Sequence, residues 1–225
     1  MTSPDRPFRP APRSAPRLLL ALALAAAFTG CGLLGGGGGG ERGTIYAPVV
    51  RVDADPSWPR VEWQLSVANA SAPRMVDSPR INVRPSPAEL QVYAGASWAQ
   101  PATDMLETTV LRALEDSGHI DAVARSEVGI RPDYKLVMEV HRFESDYAGS
   151  AVPSATIEVT AKLLYNRDQR LVASRTFLAA HQASGTAVPE VVAAFEAALA
   201  AAGAGIAGWT LASGEADWKT LAPPL

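Results

Sequence analysis

"DYKLVMEVHRFESDYAGSAVPSATIEVTAKLLYNRDQRLVASRTFLA", residues 133–179, decides the fold class. Over 133–143, Tyr134, Leu136, Met138 and Val140 alternate with Lys135, Val137, Glu139 and His141. Over 154–165, Ile157, Val159, Ala161 and Leu163 alternate with Thr156, Glu158, Thr160 and Lys162. A period of two puts successive side chains on opposite faces of a strand. Asn166-Arg167-Asp168-Gln169 is turn chemistry. Residues 171–179 then return with Leu171, Ala173 and Phe177 on one side. The block predicts an antiparallel meander with one buried face and one wet face.

Downstream, Val188, Val192, Phe195, Leu199, Ala202, Ile206 and Trp209 step by three and four residues. That is the apolar stripe of a helix over 188–209. Gly203, Gly205 and Gly208 each weaken a helix by up to about 1 kcal/mol, so its second half is expected to fray or break. The chain after it, 213–225, ends in Pro-Pro-Leu and reads as a flexible tail. No packing role for its Trp218 follows from the pattern.

Upstream, Val61, Trp63, Leu65 and Val67 mark a half-buried strand, and Ile81 and Val83 mark a short one over 80–84. Pro85 and Pro87 are expected to end it, since proline cannot donate to a ladder. Tyr93 and Trp98, bracketing Gly95, read as an aromatic corner before a helix over 104–117. Asp104 and Glu107 have capping-box spacing, Leu106, Val110, Ala113 and Leu114 share a face, and Gly118 stops the helix. Residues 120–123 are a short extended segment. The expected fold is α+β, a single domain over 44–212, with a twisted, largely antiparallel sheet and two main helices packed on one face.

The N-terminus has another purpose. Arg6, Arg9, Arg13 and Arg17 precede an unbroken apolar run over 18–28. The run suits a signal h-region and is shorter than the roughly 20 residues a spanning helix needs. Small residues then lead to Cys31, the only cysteine of the chain. The pattern is that of a lipoprotein signal peptide over 1–30, with cleavage before Cys31 and acylation, such as palmitoylation, of that residue. The alternative is an ordinary secretory signal with an incidental cysteine, but Cys31 has no disulfide partner. Residues 31–43 hold six consecutive glycines and form a flexible tether. Gly32 after the cysteine points to an outer-membrane address facing the periplasm. Loss of 1–30 removes four Arg and one Asp, moving the net charge from −3 to about −6. An acidic domain is poorly suited to binding nucleic acid through phosphates.

Chemistry is sparse. His119, His141 and His181 show no metal-ligand spacing, and no metal or cofactor is expected. His141 with Ser145 and Asp146 lacks a nucleophile-elbow context. Asp53, Asp55 and Glu62 sit in a Pro-rich lead-in. The glycines are not a phosphate-binding loop. The residues therefore read as those of a non-enzyme. Tyr93 and Trp98 have two readings: core plugs that fix strand-to-helix geometry, or candidate contacts with a partner, where Tyr and Trp are enriched.

"RINVRPSPAELQVYAGASWAQPATDMLETTVLRALEDSGHIDAV", then "RPDYKLVMEVHRFESDY" and "VVAAFEAALA", resemble the ABC-type transport auxiliary lipoprotein family, which includes the paraquat-inducible protein C lipoproteins. The resemblance covers roughly residues 63–209. It implies a periplasm-facing, outer-membrane-anchored subunit of a system that moves lipids between membranes. Its implied partners are a mammalian-cell-entry-domain protein and an ABC permease and ATPase, with a homo-oligomer also open. It brings no catalytic residues. The alternative function is a stand-alone envelope lipoprotein that binds a small ligand or another envelope protein. The family's short first strand is in question here, because Ile45-Tyr46-Ala47-Pro48 is interrupted by proline.

Overall fold

The computed structural model describes residues 43–126, 128–129 and 131–221. The expected signal peptide, Cys31 and the glycine tether lie outside the described residues.

The alternating block forms three long strands, β6 (Tyr134–Asp146), β7 (Ser154–Tyr165) and β8 (Arg170–Gln182). They pair antiparallel in sequence order, as the pattern predicts. Tyr134, Leu136, Met138 and Val140 are fully buried, as are Ile157, Val159, Ala161 and Leu163. A bulge between Val140 and Arg142 then shifts the inward set, so that Phe143 takes the core position.

Five shorter strands complete an eight-stranded sheet: β1 (Thr44–Tyr46), β2 (Leu65–Val67), β3 (Arg80–Ser86), β4 (Glu89–Trp98) and β5 (Val123–Arg125). The order is β1-β4-β3-β6-β2-β5, with β7 on the other edge of β6 and β8 beyond it. β6 is long enough to carry β2 beside Tyr134–Leu136 and β3 beside Ser145 and Asp146. Both of those pairings are parallel, as are β1 with β4 and β2 with β5. The long ladders are antiparallel and the short ones mostly parallel, because distant segments return to the same edge through crossovers. β1 forms despite Pro48, which falls just after it.

Four local expectations are corrected. First, Pro85 does not end β3. It lies inside the strand, where the pairing with β4 shifts register between Val83 and Ser86, a place where a missing donor is tolerated. Second, the aromatic corner is a strand: β4 turns back on β3 through Pro87 and Ala88, and Gly95, at φ +67°, absorbs the irregularity between the Val92 and Ser97 pairs.

Third, the first helix, α1 (Ala102–Ser117), has Pro101 at its N-cap and no side-chain cap, so Asp104 and Glu107 form no capping box. Glu107 is instead buried, accepting from the Ala70 amide (3.3 Å) and from Arg125 Nη1 (3.1 Å). Gly118 ends α1 at φ +64°, in the left-handed conformation expected of it.

Fourth, α2 (Val188–Leu221) runs 34 residues without a break at its glycines, and the supposed tail over 213–221 is its last turns. The glycines are where other side chains press close. A methyl group on Gly203 would come 2.7 Å from Thr109 Cγ2 of α1. One on Gly208 would run into the Trp58 ring, and one on Gly214 into Trp63. Burial of two indoles outweighs a few kcal/mol of lost propensity. The helix therefore continues past residue 212, the expected end of the domain, to Leu221. By length and composition α2 could cross a membrane, but its apolar side is packed in the core. α1 and α2 contact each other and share one apolar core with the sheet, in the α+β arrangement expected.

Candidate functional site

The candidate contact residues part company. Trp98 closes β4 with its ring 2% exposed, edge-on to Phe143 (6.2 Å) and Phe195 (5.2 Å). A contact by Trp98 with another protein would require the domain to open. Tyr93, five residues earlier on the same strand, is half-buried, and its hydroxyl lies 3.1 Å from Ser145 Oγ. Burial pushes the Tyr93 hydroxyl above the ordinary tyrosine range, outweighing the hydrogen bond with Ser145, which acts to lower it. Of the pair, Tyr93 is the one with surface left to offer.

Beyond Tyr93, the end of β6 carries a compact charge cluster. Arg84 forks onto the buried Glu144 through Nε–Oε1 (2.7 Å) and Nη2–Oε2 (2.9 Å). Arg142 reaches the same carboxylate at 2.7 Å and also pairs with Asp146. Arg84 Nη1 donates to the carbonyl of Pro87 in the β3–β4 turn (3.0 Å). The carboxylate raises the Arg84 guanidinium above its usual range. Two cations and two anions in one cluster fix the hairpin on β6 and leave little net charge to attract a ligand.

The residues that could suggest catalysis do not converge. His141 Nε2 lies 2.8 Å from Thr160 Oγ1 on the open face of the sheet, while Ser145 faces Tyr93 and Asp146 faces Arg142. A proton relay needs these groups to face one another. Asp55 closes its own turn by accepting from the Ser57 amide (2.8 Å), which holds its carboxyl below the usual range. His119 is edge-on to Trp58 at 6.4 Å. Among the described residues, no three His, Cys, Asp or Glu side chains gather as a metal site.

Hollows flank the lead-in segment over 47–60. One of them, of about 630 Å³, lies between residues 49–54 and Arg112, Glu115 and Asp116 of α1, and two others are less polar. The first of these two, of about 240 Å³, lies against α1 and includes Tyr46, Val50, Met105, Thr109 and Arg112. The second, of about 580 Å³, is walled by Trp58, Trp209 and Arg175 over a floor of Ala204, Gly205 and Gly208. The second also holds Asp55 and Ser57, but their contact closes a turn, and no histidine or lysine lines either hollow to activate a hydroxyl nucleophile.

Sequence reasoning missed a latch at the far end of α2. Arg170 grips Asp217 with two bonds of 2.8 Å, and the Tyr134 hydroxyl donates to the same carboxylate at 2.8 Å. Arg170 holds the Asp217 carboxyl below its ordinary range. Burial, and then the same carboxylate, push the Tyr134 hydroxyl far up. The signal was an Asp beside Trp218 on a continued helical phase, hidden by reading 213–225 as loose.

With this geometry in place, the chain can be set beside known proteins. The profile of the ABC-type transport auxiliary lipoprotein component family matches residues 44–207. The chain belongs to that family, as its sequence resemblance suggested, and membership of a lipoprotein family associates it with the cell envelope. A crystal structure of a Xanthomonas campestris protein of the DUF330 family is 61% identical, with a TM-score of 0.76, over 78% of this chain and 99% of that one. Another crystal structure, of an uncharacterized protein, is 18% identical with a TM-score of 0.58 over 73% of this chain and 96% of that one, a likeness of fold alone. No curated protein matches.

Proposed function

We propose that this chain is a non-enzymatic, periplasm-facing lipoprotein subunit of an ABC transport system that moves lipid between membranes. Acylation of Cys31 anchors it, in the outer membrane. The six glycines give the domain reach, on the order of 13 Å root-mean-square from about 5–6 Å times the square root of the length. The domain docks the mammalian-cell-entry component, which works with the permease and ATPase. The observation that carries this reading is the family match across 44–207 on a chain whose one cysteine lies three residues beyond a signal-type apolar run. The lack of convergent chemistry among the described residues supports a docking role over catalysis.

A protein held by acyl chains gains about 0.8 kcal/mol per buried methylene, so the anchor is effectively permanent. Cys31→Ala is expected to leave the protein unprocessed or move it to the soluble periplasmic fraction. Co-purification of the full chain from native membranes in mild detergent tests the whole reading. A mammalian-cell-entry protein, a permease and an ATPase should come with it, and Tyr93→Ala should lower their yield while the domain, though less stable, remains folded at the temperature of purification. Recovery of the lipidated chain without any of the three would overturn the proposal.

A further inference from the structure

The hollow between Trp58 and Trp209 has no part in the docking role proposed above. It encloses about 580 Å³, a volume that suits a small ligand. Its walls come from three parts of the chain: Asp53 and Trp58 from the lead-in segment, Trp209 from α2 and Arg175 from β8. Each aromatic wall is held in place. Trp58 rests on α2 at Gly208, where a methyl group would come 2.4 Å from the indole nitrogen. Trp209 meets the Phe177 ring edge-on at 5.7 Å, and the Arg175 guanidinium lies over that same ring at 4.9 Å. Both indoles are half-buried and keep surface open to solvent.

Two opposite charges in this hollow are unused. Among the described residues, Arg175 forms no ion pair, and Asp53 forms neither an ion pair nor a hydrogen bond. Both are exposed. The floor is uncharged, since α2 has no charged residue between Glu196 and Glu215. It also contains a glycine that packing does not require. Methyl groups on Gly203, Gly208 and Gly214 would collide with neighbouring side chains, whereas one on Gly205 would meet only the Phe177 ring at 3.4 Å. Gly205 therefore gives up helix propensity without a close neighbour in return. A local rule broken with no packing gain is expected where a surface is kept open for a ligand.

We infer that this hollow binds an aminoalkyl phosphate, a zwitterion whose ammonium lies against Trp58 and Trp209 beside Asp53 and whose phosphate pairs with Arg175. Indole rings attract ammonium groups, and the guanidinium fork matches phosphate oxygens. A free amino acid carries both charged groups on one carbon and would leave most of the hollow empty. A phosphate ester separates the charges and brings further uncharged atoms to lie over the floor. A simple anion or a simple cation would satisfy one wall and leave the charge on the other unpaired. The same chemistry occurs in a lipid headgroup and in a soluble ester.

The test uses the full chain in an uncharged maltoside detergent at low ionic strength, where exposed charges are least screened. In isothermal titration calorimetry, glycerophosphoethanolamine should bind at least about tenfold tighter than ethanolamine or glycerol phosphate alone. Asp53→Asn and Arg175→Gln should each weaken that binding by about tenfold with an unchanged unfolding midpoint, because neither forms an ion pair in the free protein. Gly205→Leu, which fills the floor, should abolish binding in a folded domain. Lipid extracted from the purified protein separates the two sources. An aminophospholipid retained by the original protein and lost from Arg175→Gln assigns the ligand to lipid, whereas binding of the ester without retained lipid assigns it to a soluble compound. Absence of binding up to about 10 mM in protein that retains no aminophospholipid overturns the inference. So does lipid retained equally by Arg175→Gln, or either half of the zwitterion binding as tightly as the whole. Undiminished binding by either charge variant or by a folded Gly205→Leu protein overturns it as well.

Discussion

The two ends of α2 are fastened by different physics. Near its N-terminus, Phe195 stacks on Phe143 at 4.9 Å and meets the edge of Trp98, three rings with no polar group engaged. Near its C-terminus, Trp63, Tyr165 and Trp218 gather around Tyr134, with Trp63 at 4.8 Å, but that cluster ends in the Tyr134–Asp217–Arg170 network. About 34 Å of helix separates Phe195 from Trp218, at 1.5 Å per residue. Burial holds the first end irrespective of pH. The second end combines burial with a charge. One helix is thus clamped onto the sheet by an apolar bolt and an ionic latch, and the two respond to different perturbations.

The largest expected effect breaks the bolt. Trp98→Ala should destabilise the domain by about 3–5 kcal/mol, as measured by denaturant unfolding, with the same loss at pH 7 and pH 5. Trp98→Phe should cost much less, since it keeps the ring contacts and deletes an indole N–H that is buried without a partner.

Next comes the seat of the second cluster. Gly214→Ala places a methyl group against Trp63, itself 1% exposed, and should cost about 1–3 kcal/mol by overpacking. Gly205→Ala meets only the Phe177 ring at 3.4 Å and should be neutral or stabilising by up to about 1 kcal/mol. Similar losses for both would show that the glycines matter for helix flexibility instead of close packing.

Breaking the latch is smaller still. Asp217→Asn should cost about 1–2 kcal/mol at neutral pH, because Arg170 is more than a third exposed and solvent screens the pair. The Asp217 carboxyl has a folded pKa below its unfolded value of about 3.9, so its contribution is complete above that value. It is lost as pH falls below about 4 through the depressed folded pKa. The stability gap between the original protein and Asp217→Asn should therefore close in acid and stay constant from pH 5 to 7. A gap that persists at pH 2 would assign the effect to packing.

The smallest effect lies outside the clamp. Shortening the run of six glycines that ends at Gly40 should leave the unfolding midpoint unchanged while reducing partner recovery from membranes. A fall in the midpoint would mean that the tether packs on the domain.

The same contrast explains what could be read from the sequence. The β6–β7–β8 meander was legible because each strand has one wet face and one buried face, so burial writes itself as alternation. β4 was not, because Leu90, Val92 and Tyr93 break the period and Gly95 looks like a turn signal, although it serves as a bulge. The first half of α2 was legible from its stripe. Its second half was misread because glycine carries two opposite meanings, helix breaker and close-contact site, and only the distant Trp58 and Trp63 decide between them. Glu107 was misread for a related reason: its spacing from Asp104 suits a local cap, while its actual partners, Ala70 and Arg125, come from elsewhere in the chain. Trp98 and Tyr93 were read together as core plugs or partner contacts, and the bulge between them sets which of the two is buried.

Amide hydrogen exchange along α2 in Asp217→Asn at neutral pH tests the two-ended clamp most directly, since opening can be followed turn by turn. The account predicts that protection falls over residues 211–221 and stays at its original level over residues 188–202, because the Trp98–Phe143–Phe195 cluster is untouched. Equal loss of protection along the whole helix, or no loss at its C-terminal end, would contradict it.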